Sequence, residues 1–263
     1  MSAIAMNGKR LQPGPVEPDR PERSLSVVTL NAAKVTDASR IAADLASSPR
    51  LRGADVYLMQ EVANEADKPG VAEQLAERLG YQSTFSPAAP GVYDQGLAIL
   101  SRYPLSHIEI RRLKWCDLRF RCRTRFALSA DVRTPSGDIR LWNVHLDTRI
   151  NADERLEQLR PIIEEAARRP GASIIAGDFN TNECRWVGNV VPVPGGPGHG
   201  ALIRQTMEAH GFRTPLPDGL ATFTTLNRHL DWIYVNGLQP LRWSVEPAPF
   251  SDHHAVWTRL VLP

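Results

Sequence analysis

Nine short runs, each rich in Val, Ile, Leu or aromatic residues and each bounded by Gly, Pro, Asn or Asp, recur through the chain: SLSVVTLN, ADVYLMQE, GLAILS, RFALSADV, IRLWNVHL, SIIAGDF, TFTTL, LDWIYV and HAVWTRLVL. Short apolar runs closed by turn formers are strand signals. Between some of them lie helical patterns, over 37–48, 68–79, 151–168 and 201–210. The third opens on Asn151 with Glu154 three residues on, the spacing of a capping box. Pro161 is expected to bend that helix or confine it to its later turns. Many strands with a few interspersed helices predict an α/β (α+β) fold, a four-layer α/β/β/α sandwich of two packed, mainly antiparallel sheets flanked by helices. The Gly- and Pro-rich segment 184–200 reads as a long surface loop, a place where function is often carried.

A chain of 263 residues, 42% of them hydrophobic, supports one large core or two small ones, and no break in composition separates two domains. The expectation is a flexible leader over 1–24, whose prolines and charges offer no face to bury, and a single domain over 25–263. The 31 basic and 29 acidic side chains leave a net charge of +2, which excludes a protein that coats nucleic acid through bulk charge. Cys116, Cys122 and Cys184 have neither the even count of a disulfide framework nor a paired metal-ligand spacing, so a reducing compartment is the simpler expectation. No apolar run resembles a signal peptide or a membrane span, and a cytoplasmic location follows as an expectation.

The run SIIAGDFNTNE poses a chemical question, because an apolar strand gives way to Asp178 and Asn180. Residues two apart on an extended chain point to the same side, so this carboxylate and this carboxamide are expected to project together from the strand end. A carboxylate at the lip of a core needs a partner, a metal or water. Similar polar residues stop the other strands: Asn31 ends VVTLN, Glu61 ends YLMQE, His145 lies in LWNVHLD, and Asp252 with His253 precedes the last strand. In HLDWIYV, alternation sets Asp231 on the same face as Ile233 and Val235, so it too requires a partner. Each has a plain structural explanation alone, as a turn, a cap or a satisfied core group. Together they supply an inventory suited to a hard cation and phosphate chemistry.

The blocks TLN, DVYLMQE, GLAILSRYPL, NVHLD followed by Arg155 and Gln158, GDFN, LDWIYV and SDHH occur in order over residues 26–257. In this set the chain resembles the endonuclease/exonuclease/phosphatase superfamily, which includes deoxyribonuclease-I-like nucleases, apurinic endonucleases, neutral sphingomyelinases and inositol-polyphosphate phosphatases. The resemblance implies that Glu61 is the principal ligand of Mg²⁺ or Mn²⁺, with Asn31 close by and Asp252 in support. It implies that Asp178 positions or activates the attacking water, with Asn180 as its orienting partner. His253, held by Asp231, would contact the scissile phosphate as a base or as a charge stabiliser. His145 would face the phosphate from the other side and help the leaving oxygen depart. Two positions depart from DNA-cleaving subgroups: Ala33 stands where apurinic endonucleases carry Asp, and Gln95 where deoxyribonuclease-I-like enzymes place a Glu behind the His145 equivalent.

The function implied is a Mg²⁺-dependent phosphoesterase, hydrolysing a phosphodiester of nucleic acid, phospholipid or small molecule, or a phosphomonoester, by in-line attack of an activated water. A DNA or RNA nuclease is the narrower reading. A non-catalytic phospho-ligand-binding module is the alternative of another class, disfavoured because no metal or water-positioning residue is missing. The basic stretch 111–126 adds a candidate substrate contact: Arg119 and Arg121 share one face if the segment is a strand. Either they bind substrate phosphate or they are the solvated charges of an edge strand.

Overall fold

In the computed structural model, residues 23–65, 68–89, 92–116, 124–195 and 198–263 are described. Most of the expected leader, and the pair Arg119 and Arg121, lie outside them. One sheet has six strands: β1 (Ser24–Asn31), β2 (Val56–Ala63), β3 (Gln82–Ala89), β4 (Val92–Ser101), β12 (Gln239–Glu246) and β13 (Ala255–Val261), in the order β12-β13-β1-β2-β4-β3. The other has five: β5 (Leu105–Arg112), β6 (Phe126–Thr134), β7 (Gly137–His145), β8 (Ala172–Asp178) and β11 (Asp231–Asn236), in the order β11-β8-β7-β6-β5. Only the central pairs β1–β2 and β7–β8 are parallel; the other pairings within the two sheets are antiparallel.

Strand alternation explains the layering. Along β1 and β2, Val27, Val56 and Leu58 enter the core between the sheets, while Val28, Tyr57 and Met59 pack toward α1 (Ala38–Ser47) and α3 (Val71–Leu79). Strands buried on both faces read as continuous apolar runs, which is how VVTL and VYLM appear. On the far side, Ile162 and Ile163 of α4 (Ala152–Arg168) and Ile203 and Met207 of α5 (His199–Ala209) cover the five-stranded sheet and belong to the same continuous apolar cluster as the residues between the sheets. The result is the expected α/β/β/α sandwich; a short helix, α2 (Pro49–Arg52), follows α1.

Three expectations are corrected. TFTTL is not a strand: residues 222–228 form a turn closed by a bridge between Phe223 and Arg228, with Asn227 at φ +51°. The β-forming Thr and Phe residues there serve the turn, and Thr222 Oγ1 accepts the N–H groups of Leu230 and Asp231. Pro161 does not confine α4, which runs unbroken from Ala152 to Arg168 because buried Leu156, Leu159, Ile162 and Ile163 hold both sides of it to the core. The 184–200 segment is not simply a loop but folds a hairpin, β9 (Cys184–Val187) and β10 (Val191–Pro194). Gly188 and Asn189, both at φ +57°, make its tight turn. At the start of α4, Glu154 Oε2 accepts the Asn151 N–H at 2.7 Å as the capping box requires. The Asn151 carboxamide meanwhile pairs with both backbone polar groups of Trp186, tying the hairpin to the helix.

Candidate active site

The parallel central pairs bring the polar strand ends together. Strands β7 and β8 run side by side and end in register on His145 and Asp178. Strand β11 is antiparallel to β8 and begins where β8 stops, so Asp231 faces Asp178. In the other sheet β1 ends at Asn31, and antiparallel β13 begins opposite it, just after His253. Asn31, Glu61, His145, Asp178, Asn180, Asp252 and His253 line one open cavity of about 450 Å³ at this edge of the sandwich. Asp231 lies directly behind it, bonded to His253. The sequence-expected site residues that fall among the described residues thus meet in one place.

Local backbone devices aim the groups. Glu61 sits at a β-bulge between Met59 and Val62 with φ +48°, an uncommon conformation for a residue with a side chain. The bulge turns Glu61 out of the ladder, leaving its side chain 27% exposed at the cavity. Gly177 is obligatory: at φ +150°, a Cβ there would lie 1.9 Å from Val144 O of the neighbouring strand. Asp178 and Asn180 do reach the same cavity, but not by strand alternation. Strand β8 stops at Asp178, and Asn180 turns at φ +51°, its N–H bonding Asp178 Oδ1 at 2.8 Å and its Nδ2 donating to Leu146 O at 2.9 Å.

Asp178 is the hub of the polar cluster. Its Oδ2 accepts from Asn31 Nδ2 at 3.2 Å and lies 3.5 Å from His145 Nε2 and 3.9 Å from His253 Nε2. His253 Nδ1 bonds Asp231 Oδ2 at 2.8 Å, and the tilted Phe223 ring packs 5.0 Å from the imidazole. Burial alone would depress the His253 imidazole, but the Asp231 carboxylate and its hydrogen bond, with Asp178 behind, raise it to about 9. His145 differs: burial, then the Arg125 guanidinium and the charge on His253, hold it well below the usual imidazole range. Burial and the neighbouring Asp231 charge push the Asp178 carboxyl upward, opposed by His253, the Asn180 N–H and the Asn31 amide. The two histidines therefore carry opposite tendencies: burial lowers both, the Asp231 carboxylate overcomes it at His253, and the Arg125 guanidinium adds to it at His145.

Supporting residues escaped the sequence reading. Asn143 on β7 donates to Met59 O and Ala98 O of the opposite sheet and accepts from Gln60 Nε2 at 2.7 Å, clamping the sheets beneath the site. Ser251 Oγ donates to Asn31 O at 2.6 Å and accepts the His253 N–H. Fully buried Arg155 donates to Asp147 O at 2.6 Å, Phe179 O at 2.7 Å and Ile150 O at 3.1 Å, joining the segments that follow His145 and Asp178. These are amides, hydroxyls and an arginine inside apolar or loop sequence. Their one legible signal was Arg155 and Gln158 trailing NVHLD.

The model of the Endonuclease/Exonuclease/phosphatase family matches residues 28–253. The chain belongs to the endonuclease/exonuclease/phosphatase family. It is thereby placed among phosphoesterases that are mostly metal-dependent. No curated protein matches the sequence. Among solved structures, an endonuclease/exonuclease/phosphatase protein from Beutenbergia cavernae DSM 12333 is similar at 22% identity and a TM-score of 0.71, over 91% of this chain and 72% of that one. A humanised D. rerio TDP2 is similar at 20% identity and a TM-score of 0.63, over 90% and 99%. The human Nocturnin catalytic domain with bound sulfate anion is similar at 18% identity and a TM-score of 0.64, over 92% and 94%. At these identities the likeness concerns the fold.

The donor set fits the divalent cation that such a family implies. Glu61 and Asp252 bring carboxylates to the cavity wall, and the Asn31 carboxamide oxygen, which accepts the Ala33 N–H at 3.0 Å, keeps a second lone pair, the chemistry a hard cation selects. Asp178, Asp231 and His253 also offer atoms within 4.8 Å of one another. In that trio, however, Asp231 and His253 already satisfy each other, and a protonated imidazole has no lone pair to give a metal.

Proposed function

We propose that the protein is a Mg²⁺- or Mn²⁺-dependent phosphoesterase that hydrolyses a phosphate ester by in-line attack of water. The observation that carries this reading is the grouping of Asp178, His145 and His253 around one point, with His253 held by buried Asp231. Asn31, Glu61 and Asp252 would hold the cation, which when bound supplies Lewis-acid polarisation of the phosphoryl group. Asp178 orients the attacking water and takes its proton, with the Asn180 N–H and the Asn31 amide fixing its two oxygens. The Asn180 N–H, the Asn31 amide and the charge on His253 favour the ionised form of Asp178 that this task needs. The His253 imidazolium, stabilised by Asp231, faces the charge that grows on the phosphoryl oxygens, usually the largest contribution to such catalysis.

The cavity wall favours a substrate with an organic arm beside its phosphate. Arg149 and Arg228 supply positive charge, while Trp186, Phe223 and Leu226 supply apolar surface. Any phosphate ester with an organic group uses both kinds of wall, and a diester of nucleic acid, phospholipid or small molecule, with an organic group on each side of the phosphorus, uses more of the apolar part, so we favour it over a monoester. The test is an activity screen across DNA, RNA, phosphoinositides and sphingomyelin with Mg²⁺ and with chelator, repeated with Asp231→Asn. An amide can still bond His253 but cannot stabilise its imidazolium, so kcat should collapse while KM changes little. In the serine protease triad the analogous change costs about 10⁴ in kcat. A near-normal kcat in Asp231→Asn would reduce Asp231 to a structural carboxylate.

A further inference from the structure

The back of His145 holds an arrangement that the proposed chemistry does not use. Its Nδ1 lies 3.5 Å from Arg125 Nη1. A guanidinium has donors and no acceptor, so Nδ1 must present its lone pair to Arg125, and the ring hydrogen must reside on Nε2. That nitrogen faces the site, 3.5 Å from Asp178 Oδ2, an acceptor. Arg125 is itself fixed: its Nε donates to Asp147 Oδ1 at 3.0 Å, and Asp147 Oδ2 accepts from Gln158 Nε2 of α4 at 2.8 Å. Asp147 and Gln158 are buried, and the Arg125 side chain is 16% exposed. Arg125 lines a void of about 10 Å³ between Glu61, Gln95 and His145, and it is not on the wall of the 450 Å³ cavity. It therefore reaches the site through the imidazole. Gln95, on the same void, brings no charge that would draw a proton to Nδ1, and the carboxylate there, Glu61, opens also on the 450 Å³ cavity, whereas the only contact shown for Nδ1 among the described residues is the Arg125 guanidinium.

We propose that Arg125 is a positioning residue that locks His145 as the neutral Nε2–H tautomer, making His145 a fixed hydrogen-bond donor to a phosphoryl oxygen and not a proton donor to the leaving group. The chain Gln158, Asp147, Arg125, His145 then has a purpose, which is to carry the rigidity of α4 to one N–H. It also divides labour between the histidines: His253 carries the charge, and His145 carries a directed donor. The part played at the phosphate rests on the phosphoesterase reading, whereas the tautomer does not.

The test uses the full chain labelled with ¹⁵N in its imidazoles and a long-range ¹H–¹⁵N correlation spectrum, with His145 assigned by its loss in His145→Gln. In the native protein at neutral pH, His145 should show a bare Nδ1 and a protonated Nε2. Arg125→Gln, whose amide can accept as well as donate, should release the lock and bring proton onto Nδ1, while Arg125→Lys, again donor-only, should keep the native pattern. In turnover of a phosphodiester, Arg125→Gln should lower kcat about tenfold or more with KM nearly unchanged, and Arg125→Lys should recover most of it. A native His145 protonated at Nδ1, or carrying two protons, would overturn the proposal whether or not any variant folds. So would a spectrum unaltered by Arg125→Gln. If no phosphoester is turned over, the spectrum still decides the tautomer and only the phosphoesterase reading fails.

Discussion

Replacing Arg155 with Met removes a guanidinium that joins the two site-bearing strand ends. The three nearest backbone carbonyls, those of Asp147, Phe179 and Ile150, lose donors at 2.6, 2.7 and 3.1 Å, Thr148 O loses a longer one at 3.5 Å, and His199 Nδ1 loses one at 3.3 Å. A buried acceptor left unpaired costs about 1–3 kcal/mol, so three carbonyls alone would cost about 3–9 kcal/mol. Against this stands relief from burying a charge, a burial strong enough to depress the Arg155 guanidinium to about 10. The balance for breaking a buried charged network is about 3–5 kcal/mol. For a chain of this size that shifts the thermal midpoint by about 6–20 °C. The assay is urea and thermal unfolding followed by circular dichroism, with Arg168→Met as control, since Arg168 is 76% exposed and, among the described residues, paired to Glu164 within its own helix at 3.0 Å. The control should change stability by about 0.5 kcal/mol or less. Because Asp147 and Phe179 flank His145 and Asp178, kcat should also fall at temperatures where the variant remains folded. A loss below about 1 kcal/mol would refute the assignment of Arg155 as the tie between the strand ends.

Gly177→Ala should force β7 and β8 apart at their site ends, since the new Cβ meets Val144 O at 1.9 Å, costing about 1–3 kcal/mol or more and most of the turnover; Gly198→Ala, with nothing within 4 Å, should be near neutral. Wild-type kcat in Gly177→Ala would contradict that reading. His199, lowered to about 4 by burial and by Arg155, and His229, lowered to about 4 by burial, are neutral in the fold and gain protons on unfolding. Their folded values lie below the ordinary 6.5, so the stability they support is whole above pH about 6.5 and is lost as pH falls toward 4. The difference in thermal midpoint between the native protein and His199→Gln should therefore shrink over that interval; a constant difference would show that His199 is not held neutral.

The sandwich was legible where strands are buried on both faces, as in VVTL, VYLM and SIIA. Besides the β9–β10 hairpin, the strands missed were β3, β5 and β12, each at the edge of one of the two main sheets. Edge strands need no apolar alternation: QSTFSPAA carries Pro87, and Ile108 and Ile110 of β5 and Leu241 and Trp243 of β12 are exposed. The acids, amides and histidines of the site were legible because polar groups that end apolar strands stand out. What held them was not, because a bulge at Glu61, a left-handed turn at Asn180 and a guanidinium behind His145 depend on pairing between segments far apart in sequence. Gly188–Asn189 was a readable hairpin signal, obscured by the surrounding Gly and Pro residues.

The most direct measurement is the rate of hydrolysis of a simple phosphodiester as a function of Mg²⁺ concentration, for the native protein and for Glu61→Gln. Glu61 presents its carboxylate to the cavity from a bulge whose carbonyl accepts the Lys34 N–H at 2.9 Å, with Lys34 Nζ 3.8 Å from the carboxylate. The expected result is activity abolished by chelator and restored by Mg²⁺ in the native protein, with Glu61→Gln folded but requiring far more Mg²⁺ and losing most of its turnover. Equal turnover in chelator and in Mg²⁺, or undiminished turnover by Glu61→Gln at low Mg²⁺, would contradict a cation-dependent phosphoesterase built on this edge of the sandwich.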